Sequence, residues 1–317
     1  MNQRIDYIDR AKGLGIILVV FFHFPYLRDI CYFEVWGGGY VTTFYMPLFF
    51  IISGMFYSPS KITQKMKRLM IPYLFFYLFA CSIYILRSIL RNQLIDWDYL
   101  LVPFYGGTKD YLNTPIWFLL ALSEIMVIAY PICKYCNYKT GVLLSSLLGF
   151  IGYFSGKTTL HIPYYIDVAL LNIPIFMISF YSKKIIIEKA NTMLGVICLL
   201  ISILIYCICP GFTNVSQNNI PMFYICFLTI SIFASVGILY IIRIYLGYIG
   251  KFFSFLGKNS LIIMSTHMML MMVPTYINKI ITNTEIALSV SLCLILLLEI
   301  PIINFCNRYL KCVILPK

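Results

Sequence analysis

Long apolar runs separated by short polar breaks fill this chain from residue 13 to residue 306. A run near 20 residues is what a helix needs to cross roughly 30 Å of hydrocarbon. Only a helix or a closed barrel satisfies its own backbone there. The pattern predicts about ten transmembrane helices, near 13–30, 40–57, 71–90, 116–133, 141–156, 165–182, 193–210, 221–242, 260–277 and 286–306. The fifth is short and glycine-rich. Span two is interrupted by Met46-Pro47, which frees a backbone carbonyl near Thr43. Span six contains Asn172 and Pro174. No loop is long enough to bury a core of its own. The fold expected is therefore a single all-α integral membrane domain over residues 1–317, with no soluble domain.

Composition agrees: 61% of residues are hydrophobic, 11% are charged, and mean hydropathy is +0.87. Orientation follows from the Lys and Arg residues of the loops. With the N-terminus inside, 18 of the 24 basic residues fall on the cytoplasmic side, among them Lys12, Lys61, Lys65, Arg68 and Lys183. Both termini are thus expected in the cytoplasm. The same asymmetry, with anionic head groups as its partner, accounts for the net charge of +12 without nucleic acid. Charged residues lead into the first span and no small-residue cleavage signature follows it, so it reads as a retained helix. Most of the eleven cysteines lie inside spans, and the lone Cys133/Cys136 pair is weak support for a metal, so no metal site is expected.

Ionisable groups inside such spans usually face a polar pocket or a proton path. His23 is the first. Counted from Lys12 it lies about 16 Å along a helix, near mid-depth. Asp9, Lys12 and His23 fall within roughly 60° on one helical face. His267, in the ninth span, lies about 12 Å in from Asn259, with Ser260 on its face seven residues earlier. Two membrane histidines at matched depth could serve as interhelical hydrogen-bond glue or share a site. His161 reads as a solvated loop residue. Glu124 sits on the face of Trp117, and Glu299 lies just before Pro301; either could pair with a cation or histidine. Lys61, Lys65, Lys67 and Arg68 at the inner rim could enforce topology or hold phosphates. The external segment Asn92–Pro115, with Trp97 and several tyrosines, suits an aromatic belt or a sugar-stacking surface. Gly37-Gly38-Gly39 lacks the following Lys-Ser or Lys-Thr of a phosphate loop, which argues against ATP as a donor.

Five segments together resemble the membrane-bound acyltransferase-3 family, in particular its fucose 4-O-acetylase-like branch of sugar O-acetyltransferases. They are Arg4-Ile-Asp-Tyr-Ile-Asp9-Arg-Ala-Lys12-Gly13 through His23; Tyr45-Met-Pro47-Leu-Phe-Phe-Ile-Ile-Ser53-Gly54; Lys65-Met-Lys-Arg68 before Pro72-Tyr73; Pro115-Ile-Trp117-Phe-Leu; and Leu256-Gly257-Lys-Asn259-Ser260 through His267. The resemblance implies a multi-pass enzyme of the bacterial cytoplasmic membrane that moves an acetyl group from acetyl-CoA to a sugar hydroxyl of a surface or lipid-linked glycan. It implies no permanently bound cofactor. His23 takes the family's essential histidine position, as general base. Lys12, Lys65 and Arg68 take the donor-binding positions, with lysine replacing arginine at two of them. Asp9 and His267 join the catalytic set, while Trp117, Ser260 and Glu124 shape the acceptor site. Membrane lipids are the expected surroundings, and a homo-oligomer is compatible with the pattern. The competing reading is a proton-coupled transporter or flippase of a glycan, with His23, Glu124 and His267 as its relay. A membrane sensor that binds the donor without turnover is a third.

Overall fold

The computed structural model describes residues 6–24, 27, 37–98, 100–101, 114–158, 162–244 and 246–316. Among them the secondary structure is helical, apart from one isolated bridge between Asn214 and Asn219. The chain opens with α1 (Asp6–Phe22), α2 (Gly38–Thr42), α3 (Tyr45–Met55) and α4 (Ile62–Leu90). Next come α5 (Trp117–Tyr135), α6 (Tyr138–Ser155), α7 (Ile166–Glu188), α8 (Thr192–Ile208) and α9 (Tyr224–Ile241). Last are α10 (Gly247–Lys258), α11 (Ser260–Thr266), α12 (Met272–Ile280), α13 (Thr284–Tyr309) and α14 (Lys311–Ile314). His161 and the Tyr99, Pro103, Tyr105 and Tyr111 part of the aromatic loop lie outside the described residues.

Six helical segments among the described residues are long and apolar enough to cross a membrane. A seventh results if the bent pair Ser260–Leu270 and Met272–Ile280 is one span. Helix α8 is apolar but shorter. The α3 segment is the most enclosed and packs on α1, α7 and α9. By contrast, α4 turns Leu74, Leu78, Phe79, Leu86, Ile89 and Leu90 outward. Such a mostly apolar face suits a lipid neighbour, and the exposed Ser82 within it returns its hydroxyl to the Leu78 carbonyl of its own helix.

Three interruptions shape the bundle. The first helix, expected to run on to about residue 30, ends at Phe22, so His23 stands at the helix end instead of midway. Pro25 gives the reason: proline cannot continue a helix, and it disfavours the helical conformation at the residue before it. The second interruption is the one Pro47 predicts. Its missing N–H releases the carbonyl of Thr43, between α2 and α3, and Ser231 Oγ on α9 donates to that oxygen at 2.7 Å. Ser231→Ala should leave this fully enclosed carbonyl unsatisfied and cost about 1–2 kcal/mol; the thermal midpoint in detergent measures it. The third splits the ninth span, expected to be continuous. Helix α11 gives way to a 3-10 turn, His267–Leu270, and α12 then leaves at a bend of 52°. Pro274 withholds the hydrogen bond that Leu270 would accept, which permits the break.

Helix α10 lies within what the hydropathy pattern leaves as a cytoplasmic loop, and it packs along α1 more extensively than any other helix does. Two glycines set the spacing. A Cβ on Gly257 would stand 1.7 Å from the Asp9 carbonyl oxygen, and one on Gly13 would stand 2.0 Å from that of Phe253. Small residues at facing positions let two backbones approach this closely. Polar contacts lock the same interface: Ser254 Oγ donates to Asp6 Oδ1 at 2.8 Å, and Arg10 bonds Asp6 Oδ2 and the Ile244 carbonyl. The Ser254 hydrogen bond, then Arg10, hold the Asp6 carboxyl below its ordinary pKa of 3.8. A lowered carboxyl contributes stability above its ordinary value and loses it as pH falls through the folded one. The thermal midpoint of Asp6→Asn should therefore converge on that of the native protein in strong acid and lie below it near neutrality.

Candidate active site

Two histidines far apart in sequence meet where α1 ends and α11 breaks. Their ring centroids are 5.1 Å apart, with the planes at 71°. The break places them. Had α1 run on past Phe22, or α11 past Thr266, both rings would follow a regular helical surface.

Each ring is oriented by its own helix. His23 Nδ1 lies 2.6 Å from the Val19 carbonyl oxygen, and His267 Nδ1 lies 2.7 Å from that of Ile263. A carbonyl only accepts, so Nδ1 carries the proton in both. In the neutral rings Nε2 then keeps the lone pair, which is the nitrogen a base needs. The two rings differ in setting. His23 is half-buried, whereas His267 is fully enclosed and its Nε2 has no hydrogen-bond partner among the described residues. A buried, unsatisfied polar atom is costly and invites a polar ligand.

Glu299 stands beside this pair. It is fully enclosed on α13, and both its oxygens lie within 3.0 Å of Thr266 Oγ1, the residue before His267. Sequence reasoning offers a cation or histidine as the partner of Glu299, whereas the hydrogen bond found is to a threonine, because the contact depends on how α13 crosses the broken span.

The sequence-nominated cations also converge. Lys65 Nζ donates to the Phe56 carbonyl at 2.6 Å. The charged neighbours that weigh on it are, in order, Lys12, Arg68, Lys183 and Lys61. Lys183 Nζ lies 4.8 Å from the centre of the Phe56 ring. Phe56 is thus the joint between the start of α4 and the end of α7. From sequence Lys183 stands only as a topology charge, because no local spacing tells that α7 ends against α3. Concentrated positive charge of this kind attracts a polyanion.

The remaining nominated residues separate into two places. Trp117 is buried at the start of α5, its ring centred 6.0 Å from that of Tyr165. Glu124, two turns further along α5, has a buried Oε2 with no hydrogen-bond partner among the described residues, and it feels the charge of Asp167 on α7. Ser260 opens α11 at the other end from His267 and is half-buried. Asp9 is buried in α1. Fourteen residues of helix separate it from His23, about 21 Å, so it does not reach the ring; its backbone carbonyl faces Gly257 instead.

No curated protein and no solved structure matches the chain. The acyltransferase-3 family model, described as an acyltransferase domain, matches residues 5–303. A multi-pass helical chain matched over nearly its whole length by that model, with its first histidine set against a second, belongs to the acyltransferase-3 family.

Proposed function

We propose that this membrane acyltransferase is an O-acetyltransferase of the fucose 4-O-acetylase-like branch, moving acetyl from acetyl-CoA to a sugar hydroxyl of a surface or lipid-linked glycan. The observation that carries the reading is the His23–His267 pair, with an unsatisfied Nε2 inside a chain of this family. The arrangement proposed is ten spans, both termini in the cytoplasm and a bacterial cytoplasmic membrane.

The chemistry follows from the groups present. His23 Nε2 accepts the proton of the acceptor hydroxyl as its oxygen attacks the thioester carbon. The tetrahedral carbon collapses, the CoA sulfur departs as thiolate, and the proton returns to it. His267 stands one ring away, and because the attacking hydroxyl gives its single proton to His23, the His267 Nε2 lone pair accepts from a neighbouring hydroxyl of the same sugar. Lys12, Lys65 and Arg68, joined by Lys61 and Lys183, hold the donor's phosphates by charge-assisted hydrogen bonds. Trp117 offers an aromatic face to the sugar, with Glu124 as a polar contact at the edge, while Ser260, at the other end of α11 from His267, is left out. Asp9 is left out, being too far along α1.

Lys65→Ala should raise the KM for acetyl-CoA roughly 10-fold, the worth of one charged hydrogen bond. Lys65→Arg should restore most of it, and kcat should change little. Steady-state kinetics with acetyl-CoA varied decides this.

The broken ninth span favours a second reading, since discontinuous helices line the sites of many transporters. Purified protein given radiolabelled acetyl-CoA and candidate glycans separates the readings. Label on the glycan supports the enzyme. Donor binding without transfer would indicate a sensor, and neither binding nor transfer would leave the transporter. Mass spectrometry of surface glycans with and without the protein then names the sugar.

A further inference from the structure

We propose that Cys209 and Cys226 are a redox pair that closes to an intramolecular disulfide, stapling the connection between α8 and α9. Their Sγ atoms lie 3.4 Å apart. Cys209 follows the last residue of α8, and Cys226 lies in the first turn of α9. The two helices pack side by side along much of their length.

The connection is held at both ends, so the approach of the thiols is built into the fold. Asn214 and Asn219 exchange backbone hydrogen bonds of 2.9 and 3.0 Å. Thr42 Oγ1 accepts from the Thr213 amide at 3.1 Å, and Asn218 Nδ2 donates to the Gly152 carbonyl at 2.8 Å. A disulfide needs sulfurs roughly 2.05 Å apart, so closure asks for about 1.3 Å more, within reach of side-chain rotation. Both thiols are partly exposed, whereas Cys306 is buried. With the N-terminus inside, this connection lies on the external face, where disulfides persist.

The step balances by thiol–disulfide exchange. One cysteine thiolate attacks a disulfide-bearing oxidant, forms a mixed disulfide and releases one thiol of the oxidant. The second cysteine thiolate attacks the protein sulfur of that mixed disulfide and releases the other. The protein loses two protons and two electrons, and the oxidant gains both as two thiols. The product ties residues 209 and 226 and fixes the connection against α2 and α6.

The experiment uses the full-length protein in membranes with oxidised glutathione as the oxidant. Free thiols are then alkylated, and peptides are mapped by mass spectrometry. The expected result is a linked Cys209–Cys226 peptide pair about 2 Da lighter than the two thiol forms together and separable by a reductant. It should be lost in Cys209→Ser and in Cys226→Ser and retained in Cys207→Ser. Folding of the variants is checked by their elution as a single species in detergent. If both cysteines stay as alkylatable after the oxidant as before it, the proposal is overturned. The same holds if Cys207 takes the place of either, or if the mixed disulfide never closes.

Discussion

His23→Ala is expected to lower acyl transfer by about 100- to 10,000-fold, the usual worth of a positioned general base, while leaving the protein in the membrane. The ring is half-buried and its Nδ1 bonds within its own helix, so its removal breaks no Nδ1 hydrogen bond to another helix. His23→Gln should be as inactive, because an amide keeps a polar group at the helix end but has no basic nitrogen. The KM for acetyl-CoA should hardly move, since the cations around Lys65 gather at the Lys12 end of α1, eleven residues earlier. Rates with labelled acetyl-CoA, alongside immunoblots of the membrane fraction, check both halves. Retained transfer in either variant would remove His23 from the reaction.

Gly257→Ala should be the most damaging single methyl in the described part of the chain. Its Cβ would stand 1.7 Å from one backbone atom of α1 and 2.8 Å from another, the Gly13 nitrogen. Neither can rotate away as a side chain would, so α10 has to lift off α1. Overpacking usually costs about 1–3 kcal/mol; against rigid backbone the loss should reach about 3 kcal/mol or more. The damage should extend to function. Helix α11 follows α10 after Asn259, and both pack on α1, so a shifted α10 carries His267 away from His23. Gly37→Ala is the control: a Cβ there meets nothing within 4 Å and should be neutral. Thermal midpoints in detergent and transfer rates should fall together for Gly257→Ala and hold for Gly37→Ala.

The helical, membrane-spanning character was legible because hydrocarbon leaves a chain so few choices. The Pro47 break was legible too, down to the carbonyl it frees, since proline acts on its own helix. The other breaks were missed for a different reason. A hydropathy window averages across Pro25 and Pro274, so the end of α1 and the bend after Thr266 vanish into apolar runs. Helix α10 escaped because it is amphipathic and charged at Lys251 and Lys258; its apolar stripe, with Gly250 and Gly257, was the available signal. Among site residues, His23 and His267 stood out as costly groups in apolar surroundings, and the fold brings them together. Asp9 shares the helical face of His23 but stands fourteen residues away along it, and a shared face alone does not bring two groups together. Lys183 and Thr266 gain their neighbours from tertiary packing alone, which no local pattern encodes.

Whether the two imidazoles act as one device can be measured directly. Transfer rates are needed for the native protein, His23→Ala, His267→Ala and the double variant, all at saturating acetyl-CoA and with folding verified. Groups that serve one step lose it once, so the double variant should be about as slow as the slower single one. If the two losses instead multiply, as they do for independent sites, the rings do not share a reaction, and the site described here is not where the acyl group moves.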